Sequence, residues 1–409
     1  MRRLLATSLL CALPLPLRHD AAPARPPLEF RLDAGHSSVE FSIGFGFTHV
    51  RGRFTQTHGT ILYDSIAPGN SSVTVVVETG SIDTGWPHRD EHLRTSDFFD
   101  VARYPTITFQ SERLRRAGDD WVAEGSLTMH GVTRPVAIPF RLTHPLERDP
   151  RSRWIMLNAT GALRVARKDF GIVGGDTYNS WFDRARAATM ADSVDVTLEI
   201  EAYRTDAASQ RLPQIDAAVQ RIHDEGVDAY VKVLRARHDT VPAARWDAYF
   251  VGPDLVVRAL LADGRTADAL ALSRALAELF PTLASAHLLL GHVLAVTGDA
   301  RGADAAYARA REVFRPPPPD TAKFKQVDGR WYWLDLLARN AIESGRVAEA
   351  VPLARTIAEI YPQTANALAT YGLALALSGD ARAADAQYAR AVALDPMETR
   401  ALALRRLPR

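Results

Sequence analysis

Over residues 28–203 apolar and polar positions alternate with a spacing of two. Val39, Phe41, Ile43 and Phe45 fall on one side of an extended chain, and Ser38, Glu40, Ser42 and Gly44 on the other. That is the period of a half-buried strand. Alternation or β-branched enrichment recurs over 72–78, 106–109, 121–129, 136–143, 155–165 and 193–203, with Gly, Asp and Asn between the runs. Many strands at short spacing predict an antiparallel sandwich or barrel. Asp119 and Asp120 read as a hairpin turn. Asp169-Phe170-Gly171 reads as a turn device, with Asp as cap, Gly at positive φ and Phe as an inward anchor. One stretch departs from the period: His88 to Phe99, with its charges and apolar Leu93, Phe98 and Phe99, predicts a short amphipathic helix over an apolar opening.

Beyond about Thr205 the pattern turns helical and the composition shifts to Ala, Leu and Arg. GDARGADAAYARA, from Gly298, returns as GDARAADAQYARA, from Gly379. Ala269, Ala303, Ala350 and Ala384 hold equivalent places; the first and last intervals are equal, and the middle one is longer. With Gly372, Tyr388, Ala391 and Pro396 in the clearest copy, and Gly291, Tyr307 and Ala310 in another, this resembles the tetratricopeptide repeat. The equal intervals match that repeat's period of about 34 residues. The resemblance implies paired helices and a protein partner of unspecified identity. The longer interval contains Pro316 to Pro319, a stiff linker. Trp331, Tyr332 and Trp333 follow it and suit either helix packing or a peptide groove.

The N-terminus sets Arg2 and Arg3 before an apolar run from Leu4 to Leu17 and then Ala22-Pro23-Ala24. This is the layout of a secretory leader, too short and proline-broken to span a bilayer, with cleavage expected after Ala24. The expected organisation is a leader over 1–24, an all-β antiparallel barrel over 28–203, a helical linker or degenerate repeat over 206–252, and an all-α solenoid over 253–407. The expected location is periplasmic or secreted. The one cysteine, Cys11, leaves with the leader, which excludes thiol catalysis and Cys-ligated metal from the mature chain. A formal charge of +1, from 49 basic and 48 acidic residues, argues against nucleic acid as the partner.

Seven ordered segments carry a further likeness: DAGHSSVEFSI from Asp33, VRGRF from Val50, SIDTG from Ser81, RDEHLRTSDFFD from Arg89, YPTITF from Tyr104, GSLTMHGVTRPV from Gly125 and RKDFGI from Arg167. In this order they resemble the YceI family of exported, lipocalin-like proteins. The resemblance implies a barrel whose apolar interior binds a polyisoprenoid or similar amphiphile, with no catalytic residues and no cofactor.

The residues placed to line such an interior are Phe41, Ile43, Phe45, Val75, Val77, Ile107, Phe109, Leu127 and Phe140. Alternation identifies the inside of a barrel and not whether it is hollow, so the same residues also suit a solid core, with the helical repeats then acting as an interaction scaffold. Arg89, His92 and Arg94 are head-group candidates, since guanidinium groups suit phosphate or carboxylate. The same arginines also suit pairing with nearby carboxylates that pins the helix across the barrel end. His88 and His92 share a helical face, the basis of an alternative reading as a metal-dependent hydrolase, but they lack a clear third ligand. His49 and His58 suit a cross-hairpin pair. No metal is expected at either place. No GxSxG, phosphate-loop or GxGxxG motif occurs in a suitable context.

Overall fold

The alternating half builds eleven strands among the described residues: β1 (Leu28–Leu32), β2 (Ser38–Phe45), β3 (Thr48–Phe54), β4 (Thr57–Tyr63), β5 (Ser72–Glu78), β6 (Ile82–Asp83), β7 (Thr106–Ala117), β8 (Asp120–Met129), β9 (Val132–Arg148), β10 (Ile155–Ala166) and β11 (Met190–Arg204). The computed structural model describes residues 27–174, 189–204, 206, 211–242, 245–315 and 329–405. The expected leader with Cys11, Pro316 to Pro319, and the side chains of Trp331, Tyr332 and Trp333 lie outside the described residues.

All pairings are antiparallel, in the order β1-β4-β5-β7-β8-β9-β10-β11-β2-β3-β6 with an added β1–β11 contact. That added contact closes the sheet. β11 pairs with β2 along its first part, from Met190↔Phe45 to Glu199↔Ser38, and with β1 at its end, through Arg31↔Tyr203 and Leu32↔Ala202. β1 and β2 thus form one broken stave, as do β3 with β4 and β5 with β6, which gives an eight-stave barrel. Bonding continues across the breaks through Asp33 N to Glu201 O at 2.9 Å, Thr55 N to Ser81 O at 3.1 Å and Glu78 N to Gln56 O at 3.0 Å. Strands run beyond the expected segments: β7 extends to Ala117, and β9 from Val132 to Arg148. Long staves need only one apolar face, so their outer ends carry charge without an alternation signal.

The second half is helical: α2 (Pro213–Glu225), α3 (Val227–His238), α4 (Trp246–Ala262), α5 (Thr266–Leu279), α6 (Ala284–Val296), α7 (Ala300–Val313), α8 (Gly329–Glu343), α9 (Val347–Ile360), α10 (Ala365–Leu377), α11 (Ala381–Leu394) and α12 (Thr399–Leu404); α1 (Pro87–Arg94) belongs to the barrel. Helices α5, α6 and α7 recur as α9, α10 and α11, each displaced along the chain by the interval that separates Gly298 from Gly379. The geometry recurs with them. A Cβ on Gly291 would stand 2.5 Å from the Tyr307 ring, and one on Gly372 2.5 Å from the Tyr388 ring, so each glycine lets a buried tyrosine lie against its partner helix. Asp299 and Asp380 cap α7 and α11 by accepting from Gly302 N at 2.9 Å and Ala383 N at 3.0 Å.

The expected break at 252/253 falls inside α4. Of the two readings of 206–252, linker or degenerate repeat, the packing favours the second. Ile215, Val219 and Ile222 of α2 and Leu234 of α3 join the same core as the repeats, because their spacing builds an apolar face without repeat-specific residues.

The halves meet through a buried polar network. Arg400 of α12 donates from Nε to Glu29 of β1 at 2.6 Å and from Nη1 to Asn366 O at 3.2 Å and Thr370 Oγ1 at 2.5 Å. Thr370 donates to Asp335, which also holds Arg339 at 3.0 Å. Thr60 of β4 meets Thr399 at 2.7 Å, Arg204 of β11 meets Glu343 at 2.8 Å, and Leu62 of β4 packs into the helical core. Burial works to raise the Glu29 pKa, but the Arg400 and Arg339 guanidiniums outweigh it and hold the group below its ordinary value. Glu398 forms no ion pair among the described residues, and burial outweighs the attraction of Arg31 and Arg400. Its carboxylate accepts from Arg400 N at 2.9 Å, and burial pushes its pKa up to about 7.

Replacing Arg400 tests the seam directly. Arg400→Met leaves Glu29 buried without its main cation and lowers stability by about 3–5 kcal/mol, while adding Glu29→Gln recovers part of the loss; urea denaturation of the four variants of the cycle measures both. Glu398 has a raised folded pKa, so its stabilising contribution is full below its ordinary 4.5 and is lost as pH rises through about 7. Glu398→Gln keeps the cap and removes that dependence, so the two proteins diverge across this window by on the order of 3 kcal/mol. Denaturation curves at pH values spanning the window would read it.

Candidate functional site

The inward faces of the staves leave a cavity of about 810 Å³ at the barrel centre. All nine residues predicted for the interior line it: Phe41, Ile43, Phe45, Val75, Val77, Ile107, Phe109, Leu127 and Phe140. The barrel is therefore hollow, and these side chains form its wall. Phe41 reaches over Gly52, where a Cβ would stand 2.5 Å from the ring. Its ring continues to Phe54 and Phe99 with centroid separations of 5.8 Å at each step.

Other wall residues carry the same alternation in the sequence. Val194, Val196, Leu198 and Ile200 alternate along β11 with Asp195, Thr197 and Glu199, and all four line the cavity. Ile138 and Met129, on β9 and β8, do the same.

The two ends differ. One is closed by the buried side chains of Phe30, Leu32, Leu157 and Ala202, against which Ile61, Val73, Ala159 and Ile200 pack. The other gathers His49, Trp86, His88, Arg89, His92 and Arg167. It lies beside the β2–β3 hairpin, since Phe45 pairs with both Thr48 and Met190. Here α1 crosses the barrel, and its Leu93 and the following Phe98 and Phe99 pack onto the wall. The helix ends at Arg94, with Phe98 and Phe99 in the turns that follow, rather than running to Phe99 as expected.

The three head-group candidates separate. Arg89 lines the cavity, donating from Nε to Thr84 Oγ1 at 2.7 Å and from Nη2 to Thr84 O at 2.8 Å, with its guanidinium 5.5 Å from the Trp86 ring centroid. His92 also lines it; its Nε2 stands 3.0 Å from Asp97 Oδ2 and its ring meets Phe98 edge-on. Arg94 does not line it. Its guanidinium donates to Gly80 O and Ile82 O, both at 2.8 Å, because the last turn of α1 points it back at the β5–β6 corner. The arginines thus pin the helix through carbonyl and hydroxyl oxygens rather than carboxylates. The carboxylate of this joint is buried Asp90, which accepts from Thr84 N at 2.9 Å.

Arg167 is the rim residue that sequence reasoning missed. Its side chain is buried, and it donates to Ala191 O at 2.9 Å, Ile172 O at 2.8 Å and Val173 O. Burial pulls its pKa down, and Asp192 opposes this. The RKDFGI segment holds it there through a short turn: Phe170 is buried and Gly171, at φ 73°, takes the left-handed conformation that closes the turn.

Among the described residues, the three-ligand cluster close enough for a metal is Asp33, His36 and Glu201, at the β1–β11 seam and outside the cavity wall. Asp33 and Glu201 raise the His36 pKa there, Asp33 more strongly. His88 and His92 gather no third ligand among the described residues. His49 and His58 do not face each other: both lie on the β3–β4 stave, where His49 pairs with Gly44 and His58 with Val76.

A YceI-like domain model matches residues 30–202. A UPF0312 protein of Pseudomonas aeruginosa (strain LESB58) is 36% identical over 138 residues, which make up 34% of this chain and 71% of that protein. Among solved structures, BcnA of Burkholderia cenocepacia shares 21% identity, covering 42% of this chain and 98% of its own, with a TM-score of 0.36. A polyisoprenoid binding domain from Saccharophagus degradans shares 16%, covering 43% and 98%, with a TM-score of 0.33. A hollow eight-stave barrel, the ordered motifs from Asp33 to Ile172 and the match to the Pseudomonas protein lead to one conclusion: through residues 30–202 the chain belongs to the YceI family.

Proposed function

We propose that this protein is an exported, non-enzymatic carrier that holds a polyisoprenoid or similar long-chain amphiphile inside its barrel. The observation that carries this reading is the cavity: about 810 Å³ of space walled by the inward apolar residues of every stave. That size falls within the roughly 300–1,000 Å³ typical of small-molecule pockets. Binding would be driven by apolar contact area, worth about 25 cal/mol per Å² buried. Phe41, Ile43, Phe45, Val75, Val77, Ile107, Phe109, Leu127 and Phe140 would contact the chain. Arg89 and His92, with His49 and His88, would face a polar head at the open end; Arg94 has no part in this. The solid-core alternative is not favoured by a hollow barrel, nor the hydrolase by two histidines without a third ligand.

The paired-helix array, with its resemblance to tetratricopeptide repeats, supports a second role as a docking surface for a protein partner. Photo-cross-linkers on exposed array positions that captured no protein in the native host would remove that part. Export rests on the N-terminal Arg2-Arg3, apolar and Ala22-Pro23-Ala24 pattern. An intact mass still including residues 1–24 would count against it.

For the central claim, protein purified from its native host and extracted for mass spectrometry should yield an isoprenoid lipid in near-equal amount. Val196→Trp places a large ring in the middle of the cavity and should lower Nile red uptake roughly tenfold with the fold intact. Unchanged uptake by this variant, together with repeated recovery of lipid-free wild-type protein, would sink the carrier reading.

A further inference from the structure

The open end of the barrel carries apolar side chains that nothing in the chain covers among the described residues. Phe47 sits at the tip of the β2–β3 hairpin, fully exposed, beside the cavity residues Phe45 and Thr48. Trp86, at the start of α1, is 58% exposed and also lines the cavity. Val173, 44% exposed, follows Ile172 of the wall.

These three stand around one opening rather than on separate surfaces. Gly46 N donates to Thr189 O at 3.3 Å, and Met190 pairs with Phe45. A Cβ on Gly174 would meet both Phe98 and the Met190 methyl, so the Val173 segment adjoins both the hairpin and α1. Scattered single apolar residues on a surface need no explanation, but apolar tips clustered at the mouth of an apolar cavity do.

We propose that this rim docks onto the surface of a lipid bilayer, with Phe47 and Trp86 entering the headgroup region and the cavity mouth facing the membrane. The proposal rests on the reading of the cavity as an amphiphile site and identifies where the cargo would enter. Trp favours the membrane–water boundary through its amphipathic ring, and exposed Phe, like Trp, supplies the apolar face that enters the interface. The polar groups beside them are complementary to lipid phosphates. Arg89 lies against Trp86, and His49 and His88 are exposed at the same rim; the carboxylates of Asp90 and Asp97 are taken up by Thr84 and His92 and that of Asp192 by Lys168, which leaves Glu91 as the exposed carboxylate of α1. A soluble protein partner would cover the tips equally well, but it would also close the mouth. A bilayer covers them and gives the cavity a continuous apolar path for a hydrocarbon chain.

The test uses the full chain and vesicles of equal parts phosphatidylcholine and phosphatidylglycerol, with the bound fraction read by flotation. Wild type floats with the vesicles. Phe47→Ser lowers the apparent affinity roughly tenfold, as expected for withdrawing one aromatic ring from the interface, and Phe47→Trp restores it. Ile66→Ser is the control: Ile66 is 76% exposed, but it lies in the β4–β5 loop at the closed end, so its loss leaves flotation unchanged. Phe47 is outside the cavity wall, so Phe47→Ser takes up Nile red from solution as wild type does.

Wild type that fails to float, or Phe47→Ser that floats equally well, overturns the docking surface even where Nile red uptake is normal. Flotation that depends on Phe47 in a protein taking up no Nile red leaves the docking surface standing and overturns the cavity reading instead.

Discussion

Everything in the amino-terminal half depends on the short pairing of β1 with the end of β11. Without Arg31↔Tyr203 and Leu32↔Ala202 the ring β1-β4-β5-β7-β8-β9-β10-β11 has two free edges at the closed end, where the pairing of β11 with β2 does not reach. With them the backbone ladder is continuous, and the interior communicates with solvent only through an end. Closure at eight staves also sets the width. An interior of this width can be filled by side chains or hold one ligand, and here the inward side chains leave about 810 Å³ between them. The breaks at Asp33, Thr55 and Thr79 are part of this solution. They let three staves bend where the barrel curves, while the hydrogen bonds across each break keep the backbone satisfied.

The stave that closes the barrel is also the one that holds the helical half. Glu29 lies on β1 between residues that pair with β4, and its carboxylate reaches into the network of Arg400, Arg339, Asp335 and Thr370. Buried ion pairs of this kind add little net stability compared with apolar packing, because desolvation consumes much of the Coulombic gain. Their main effect is directional, since a displaced α12 would leave several buried charges without partners. The network therefore defines where the array sits on the barrel, and it lies against the closed side, away from the open rim.

The array repeats more than its helices. The buried pair Asp254–Arg258 in α4 recurs as Asp335–Arg339 in α8, at the same offset as the Gly–Tyr contacts and with the same i,i+4 spacing within the pair. In the second copy the pair is extended by Thr370, Arg400 and Glu29 into the contact with the barrel. The contact with the barrel thus uses an element that both copies carry. What distinguishes the copy at the seam is Thr370, where the earlier copy has Leu289, and Arg400 from the terminal helix, which link the pair to the barrel.

By itself the sequence determined which elements form and which way they face. A spacing of two from Val39 to Phe45 allows only one side of the strand to be buried, and the return of the Gly298 segment at Gly379 compels equivalent helices, each pair with its Gly–Tyr contact. The family was legible for the same reason, since motifs such as VRGRF and RKDFGI encode local necessities: a glycine under Phe41 and a left-handed turn at Gly171. What only the tertiary structure decided were relations between elements. Alternation cannot distinguish a filled barrel from a hollow one, because that depends on how far the inward side chains of all the staves reach toward one another across the centre. Arg89 and Arg94 look alike in sequence, yet one meets the cavity and the other the β5–β6 corner, since the helical turn between them rotates them to different sides. Arg167 enters the sequence pattern only as the start of RKDFGI, and its burial against the cavity is a contact between elements. The Glu29–Arg400 contact joins residues 371 positions apart, a distance over which no local pattern carries information.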